Sequence, residues 1–127
     1  FIDFVVGKAI KKEKMTIVNS HYSSPTFTPY AADKLAQILQ RHLPFGIYHC
    51  SDEGVTSFYD LAVYVCEYLK LEYDIDPLDI PPDKVPRPKY CIMGGSKLTD
   101  CGIPSRPWQV GVAVYLNNKY PEYVPKR

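Results

Sequence analysis

Tyr30 and Lys34 stand four residues apart in the stretch SSPTFTPYAADK, residues 23–34. On a helix that spacing puts both side chains on one face. A nearby ammonium favours the phenolate, so such a tyrosine can deliver a proton to a carbonyl as hydride arrives. The pattern is cheap in this composition, however. With 11 Tyr among 127 residues, and as many Lys, about one match arises by chance. Tyr115 and Lys119 form a second match. A dinucleotide also needs glycines where backbone approaches its pyrophosphate at a helix N-terminus. The seven glycines form no G-x-G-x-x-G spacing, and there is no G-x-x-x-x-G-K loop. The pair therefore reads as a helix-face tyrosine and a solvated lysine, with no catalytic residue in the chain.

Other reactive side chains are equally dispersed. Cys50, Cys66, Cys91 and Cys101 show no C-x-x-C spacing, and His21, His42 and His49 show no metal-ligand register. Four free thiols in apolar surroundings fit a reducing cytoplasm, and no metal is expected. The formal net charge of +1 gives no reason to expect a nucleic-acid partner. No apolar run reaches the roughly 18 residues that span a bilayer, so no membrane partner is expected. At 127 residues, 46% of them hydrophobic, the chain reads as a single domain, 1–127. It opens on Phe1 already inside an amphipathic pattern, which suggests a piece of a longer protein.

The elements that must position any site follow from periodicity. Phe1, Phe4, Val5, Ala9 and Ile10 mark one helical face, and Met15–Val18 is a short β-prone run. Thr28 can cap a second helix with Pro29 at its first position, and Ala32, Leu35, Ala36 and Leu39 form its apolar stripe. Residues 45–50, FGIYHC, read as a buried strand. Ser57-x-x-Asp60 is a capping box before a helix with Phe58, Leu61, Ala62, Val65 and Leu69 on one side. Residues 77–88 hold five of the twelve prolines and read as an extended loop. A last helix runs from Trp108 to about Asn118. The fold class is α/β, with too few strands for a complete doubly wound sheet.

Several segments, in order, carry a resemblance. Phe1–Val5 resembles an "NF-V" helix start, and Ser23–Thr26 with Tyr30–Ala36 resembles "GSPT…ADLA". Phe45–Ser51 resembles "GIYHLAG", and Thr56–Ala62 resembles "TSWYEFA". Arg87-Pro88 followed by Ser96–Leu98 resembles "RPxxSxLDxSKL", and the Trp108 helix resembles "DWREAL". Together they resemble the C-terminal half of the dTDP-4-dehydrorhamnose reductase family, of the extended short-chain dehydrogenase/reductase type. Two departures stand out: Ser23 where the family has Gly, and Met93-Gly94 where it has Leu-Asp.

The resemblance implies the C-terminal, substrate-binding lobe of an NAD(P)-binding Rossmann-type sugar-nucleotide reductase. The N-terminal half, with the catalytic Tyr-x-x-x-Lys and the glycine-rich loop, is not in this sequence. Partners then implied are a nucleotide-sugar substrate and that missing half, with a homodimer left open. NADPH or NADH is expected in the full-length protein and none for this chain alone. Candidate substrate-binding residues are Ser24, Pro25 and Thr26, a rigid hydroxyl-bearing turn before a helix N-terminus, and Arg87, held between Pro86 and Pro88 and suited to a diphosphate. A plain capping turn and a surface arginine are the competing readings; Tyr22, Tyr30 and Tyr90 are candidates to line a sugar or base pocket, against the commoner reading of core and rim tyrosines. The competing functional class is a non-catalytic, reductase-like regulatory or interaction subunit.

Overall fold

A computed structural model describes residues 1–79 and 86–125. Helix α1 (Ile2–Ile10) leads into strand β1 (Met15–Val18), then β2 (Tyr22–Ser23) and helix α2 (Thr28–Gln40). After a long non-regular segment come β3 (Thr56–Ser57), α3 (Phe58–Tyr68) and β4 (Ile75–Leu78). The chain ends with β5 (Tyr90–Cys91), the short α4 (Ser96–Asp100) and α5 (Trp108–Lys119). Strand β1 pairs in parallel with β4, Met15 opposite Ile75. Strand β2 lies between β3, antiparallel, and β5, parallel. The expected α/β class holds.

The core lies between α1, α3 and α5 and the β1–β4 pair. Val5, Val6, Ala62, Val65, Cys66 and Leu116 are completely buried. Each aliphatic side chain so buried stabilises the fold by about 1.5–3 kcal/mol relative to exposure. Helix α3 starts as its sequence predicts. The Ser57 hydroxyl accepts the Asp60 N–H at 3.0 Å and has Asn19 Oδ1 and Asp60 Oδ2 as acceptors within 2.9 Å. Burial pushes the Cys66 thiol up to about 11, which leaves it inert. All four cysteines are free thiols, and no described helix is long and apolar enough to cross a membrane.

Several expectations need correction. Helix α1 buries Val5, Val6 and Ala9, while Phe1, Phe4 and Ile10 are exposed, so its buried face is rotated from the expected one. Helix α2 is capped at Phe27, not by the Thr28 side chain. Its apolar stripe of Ala32, Leu35, Ala36 and Leu39 faces outward. Residues 45–50 form no strand, and Phe45 and Ile47 are fully or largely exposed. In the proline-rich segment, Pro77 sits within β4 opposite Ile17. An edge strand tolerates a residue without an N–H. Residues 80–85 of that segment lie outside the described residues. Helix α4 has no counterpart among the elements expected from periodicity.

A further correction concerns Lys34, expected to be solvated, which is 3% exposed. Its ammonium donates to the carbonyls of Ser51 (2.8 Å) and Cys50 (3.3 Å) and to Ser105 Oγ (3.1 Å). It also lies 3.8 Å from Asp52 Oδ1, which has no hydrogen-bond partner among the described residues. Asp52 Oδ2 accepts the Phe27 N–H at 2.9 Å. The inward face of α2 thus carries a cation that ties the helix to residues 50–52 and 105, where a leucine would be expected. Asp3 accepts from Lys119 (2.5 Å), Tyr115 (2.6 Å) and Tyr120 (2.7 Å), joining α1 to α5.

Two predictions follow from these ties. Lys34→Met leaves Asp52 buried without a cation and should cost about 3–5 kcal/mol in urea unfolding. Adding Asp52→Asn should return at least about 1 kcal/mol, because the stranded charge is gone while the Phe27 N–H keeps an acceptor. A Lys34→Met loss below about 1 kcal/mol would show the clamp to be dispensable. The second concerns acid. Hydrogen bonds from Lys119, then Tyr115 and Tyr120, hold the Asp3 carboxyl well below the usual carboxylate range. A depressed folded pKa means the stabilisation is full above the unfolded value of about 3.9 and is lost as pH falls through the folded value. Asp3→Asn should lower Tm at pH 7 by about 1–4 °C, since the group is half exposed. The gap between the two proteins should narrow below about pH 4, which scanning calorimetry at two pH values would register.

Candidate functional site

The Ser24–Phe27 turn joins β2 to α2, and its position is over-determined. Ser24 Oγ donates to the Gly54 carbonyl at 2.6 Å, and Thr26 Oγ1 to the Ser24 carbonyl at 3.4 Å. Gly54 has φ +98°, and a Cβ there would lie 3.0 Å from the Trp108 ring, so the residue receiving Ser24 must be glycine. Glu53 is fixed from both sides: its N–H donates to the Arg106 carbonyl (2.8 Å), and its own carbonyl accepts from Trp108 (2.9 Å). A Cβ on Gly111 of α5 would meet Phe27 Cβ at 2.5 Å. The turn therefore rests directly on helix backbone.

A helix N-terminus attracts negative charge. At α2 that charge is the protein's own, since Asp52 takes the Phe27 N–H. Tyr30 and Lys34 do not meet: the Tyr30 ring packs edge-on against Phe27 and lies beneath the Arg106 guanidinium at 4.0 Å, while the Lys34 amine is engaged as described above.

The expected site residues fall on three clefts. Pro25 and Thr26 open on a cleft of about 390 Å³ with Ile2, Leu61, Trp108 and Tyr115. Ser24 lines another, of about 320 Å³, with Asp52, Glu53, Gly94, Gly95 and Ser105. Arg87 lines a third, of about 410 Å³, with Val18, His21, Tyr22, Ser23, Phe58, Pro88 and Cys91. Strand β2 and its turn pass between them, so the four residues do not share a single pocket.

The Arg87 cleft has the richest chemistry. It combines an exposed guanidinium, an imidazole, two hydroxyls, a thiol and the rings of Tyr22 and Phe58. Among the described residues Arg87 has no acidic partner, and a planar guanidinium fork matches a bidentate anion. Pairing of Tyr22 with both Ser57 and Tyr90 assembles the cleft. The Tyr22 and Tyr90 rings stack, their centroids 5.4 Å apart and their planes 16° apart. Tyr22 lines this cleft, whereas Tyr90, 62% exposed, and Tyr30 are not among its lining residues. His21, Phe58 and Cys91 escape sequence reasoning, because strands two residues long leave no periodicity from which their pairing could be read.

Gly94 and Gly95 precede a helix of only five residues, and Gly95 is closed in by Ser105, whose hydroxyl would lie 2.9 Å from any Cβ placed there. Among the described residues, no three His, Cys, Asp or Glu side chains converge as metal ligands.

The fold resembles that of solved reductases. Over 93% of this chain and 43% of the other, it superposes with a TM-score of 0.84 on a dTDP-4-dehydrorhamnose reductase from Clostridium acetobutylicum, at 21% identity. The dTDP-4-dehydrorhamnose reductase of Bacillus anthracis, solved with NADP, gives the same score and identity over 94% of this chain and 43% of its own. In sequence, the chain is 28% identical to the spore coat polysaccharide biosynthesis protein SpsK of Bacillus subtilis over 121 residues, 94% of this chain and 42% of that protein. A probable dTDP-4,6-dihydroxy-2-methyloxan-3-one 4-ketoreductase of Streptomyces antibioticus is 26% identical over 86% of this chain and 38% of its own. The chain thus spans about two-fifths of the length of these relatives. The profile of the RmlD substrate binding domain matches residues 1–120, and the chain belongs to that family.

Proposed function

We propose that this chain is the nucleotide-sugar-binding portion of an NAD(P)H-dependent reductase of dTDP-4-dehydrorhamnose type, acting in deoxysugar biosynthesis. The observation that carries this reading is the Arg87 cleft, where a cation with no acidic partner among the described residues adjoins aromatic rings and hydroxyls. A nucleoside diphosphate sugar offers the complementary parts: a dianionic linker, a flat base and a polyhydroxylated ring. Arg87 takes the diphosphate, with Tyr22 and Phe58 beside the base or sugar. The Ser24–Thr26 turn borders the neighbouring clefts and meets the sugar through shape and hydroxyls, because Asp52 already fills the anion position at α2. The nicotinamide cofactor, NADPH or NADH, belongs to the remainder of the enzyme, since the glycines of this chain do not cradle a pyrophosphate. The chain by itself binds no NADPH and turns nothing over.

Arg87→Ala in the complete enzyme should weaken binding of a dTDP-sugar by roughly 10- to 150-fold, the loss of hydrogen bonds worth about 1.5–3 kcal/mol. Arg87→Lys should recover only part of it, because an ammonium lacks the two-point fork. NADPH affinity should not change. Calorimetric titration with each ligand separates the cases. Intact sugar affinity with a lowered Tm would make Arg87 a structural strut and remove the basis for this site. Alkylation of the exposed Cys91 should likewise obstruct the cleft, and saturating dTDP-sugar should protect that thiol.

A further inference from the structure

The eight residues that line the Arg87 cleft include no Asp or Glu. They do include a second group able to carry positive charge, His21, which the contact between Arg87 and a diphosphate leaves without a role. His21 immediately precedes β2 and is half-buried. Its Nδ1 lies 3.0 Å from Ser20 Oγ. A hydroxyl both donates and accepts, so this contact holds the ring whether the imidazole is neutral or charged. Nε2 has no hydrogen-bond partner among the described residues. An imidazole anchored through one nitrogen keeps the other for a ligand.

The cleft decides what that ligand group is. A guanidinium and an imidazole on a lining without carboxylates complement an anion. Histidine is the side chain whose charge changes between about pH 5 and 8, and an anion beside it favours the charged form. We infer that His21 takes up a proton from the medium when a nucleotide-sugar diphosphate settles on Arg87. It then donates through Nε2 to a phosphate oxygen, so that affinity rises as pH falls. This rests on the reading of the cleft as the nucleotide-sugar site. The contact is complete at low pH and is lost as rising pH removes the bound proton. The ligand does not supply this dependence itself, because each phosphorus of the linker carries one ionisable oxygen, charged throughout that range. The other titratable groups on neighbouring elements are Arg87, Lys89, Tyr90 and Cys91 beside and within β5, Tyr59 and Asp60 at the start of α3, and Asp79 after β4. Of these only Arg87 and Cys91 line the cleft, and Asp60 is engaged by the Ser57 hydroxyl at 2.9 Å.

The test is calorimetric titration of the complete enzyme with dTDP-glucose at about pH 5.5, 6.5 and 8, in buffers of different ionisation enthalpy. Affinity should rise roughly 10-fold from the highest pH to the lowest, the lower end of what a hydrogen bond to a charged group contributes. Near pH 6.5 the buffer dependence of the heat should report uptake of a fraction of one proton. His21→Gln keeps a donor near the Nε2 position but carries no titrating group. Its affinity should be flat across these pH values and its proton uptake lost. His21→Asn, whose amide reaches Ser20 from about the Nδ1 position, should behave alike and guards against misfolding of the first variant. An unchanged slope and uptake in folded His21→Gln would overturn the proposal and direct attention to Cys91. Wild-type binding that is the same at every pH would also overturn it, leaving the substrate reading intact. No binding of dTDP-glucose to the folded wild type at any pH would remove that reading, and the proposal with it.

Discussion

The Lys34 ammonium is the contact on which the rest of the site depends. A charge this deep is tolerated only when nearly every donor finds an acceptor, and here two carbonyls and a hydroxyl do so, with a carboxylate nearby. Because those acceptors belong to residues 50, 51 and 105, the lysine draws together parts of the chain that no strand ladder joins. Asp52, held in the same cluster, then orients the start of α2 through the Phe27 amide. The path from a buried charge to the turn bearing Ser24 is one ion pair and one hydrogen bond long.

The sequence shows α3 and α5 clearly, because a capping residue or a proline precedes an apolar period that faces the core. It is less informative about α2. Periodicity reports that a helix has an apolar face, but not what the face meets, and Leu35 and Leu39 face away from the lobe. Lys34 misleads for a related reason: a charged residue is taken as solvated unless its acceptors are known, and these lie 16 to 71 positions along the chain. Residues 45–50 have β-type sequence, yet that tendency becomes a strand only when another strand is present.

The candidate site is legible in its parts and not in its arrangement. Arg87 is visible from its flanking prolines, and the Ser-Pro-Thr turn from its hydroxyls and its place before a helix. That the two open on different clefts depends on β2, which pairs with β3 on one side and β5 on the other. Two-residue strands carry no sequence signal of register, so the joining of His21, Phe58 and Cys91 around Arg87 emerges only in three dimensions.

Gly111 has a consequence of its own. With no side chain between α5 and Phe27, the turn that follows Ser24 has no cushion against the core, and a single methyl group would displace it. Soft packing would let such a turn sample several shapes, and a ligand would have to select one of them. Here the backbone of a central helix acts as a hard stop. The turn is preorganised, and little conformational freedom remains to be surrendered when something settles against it.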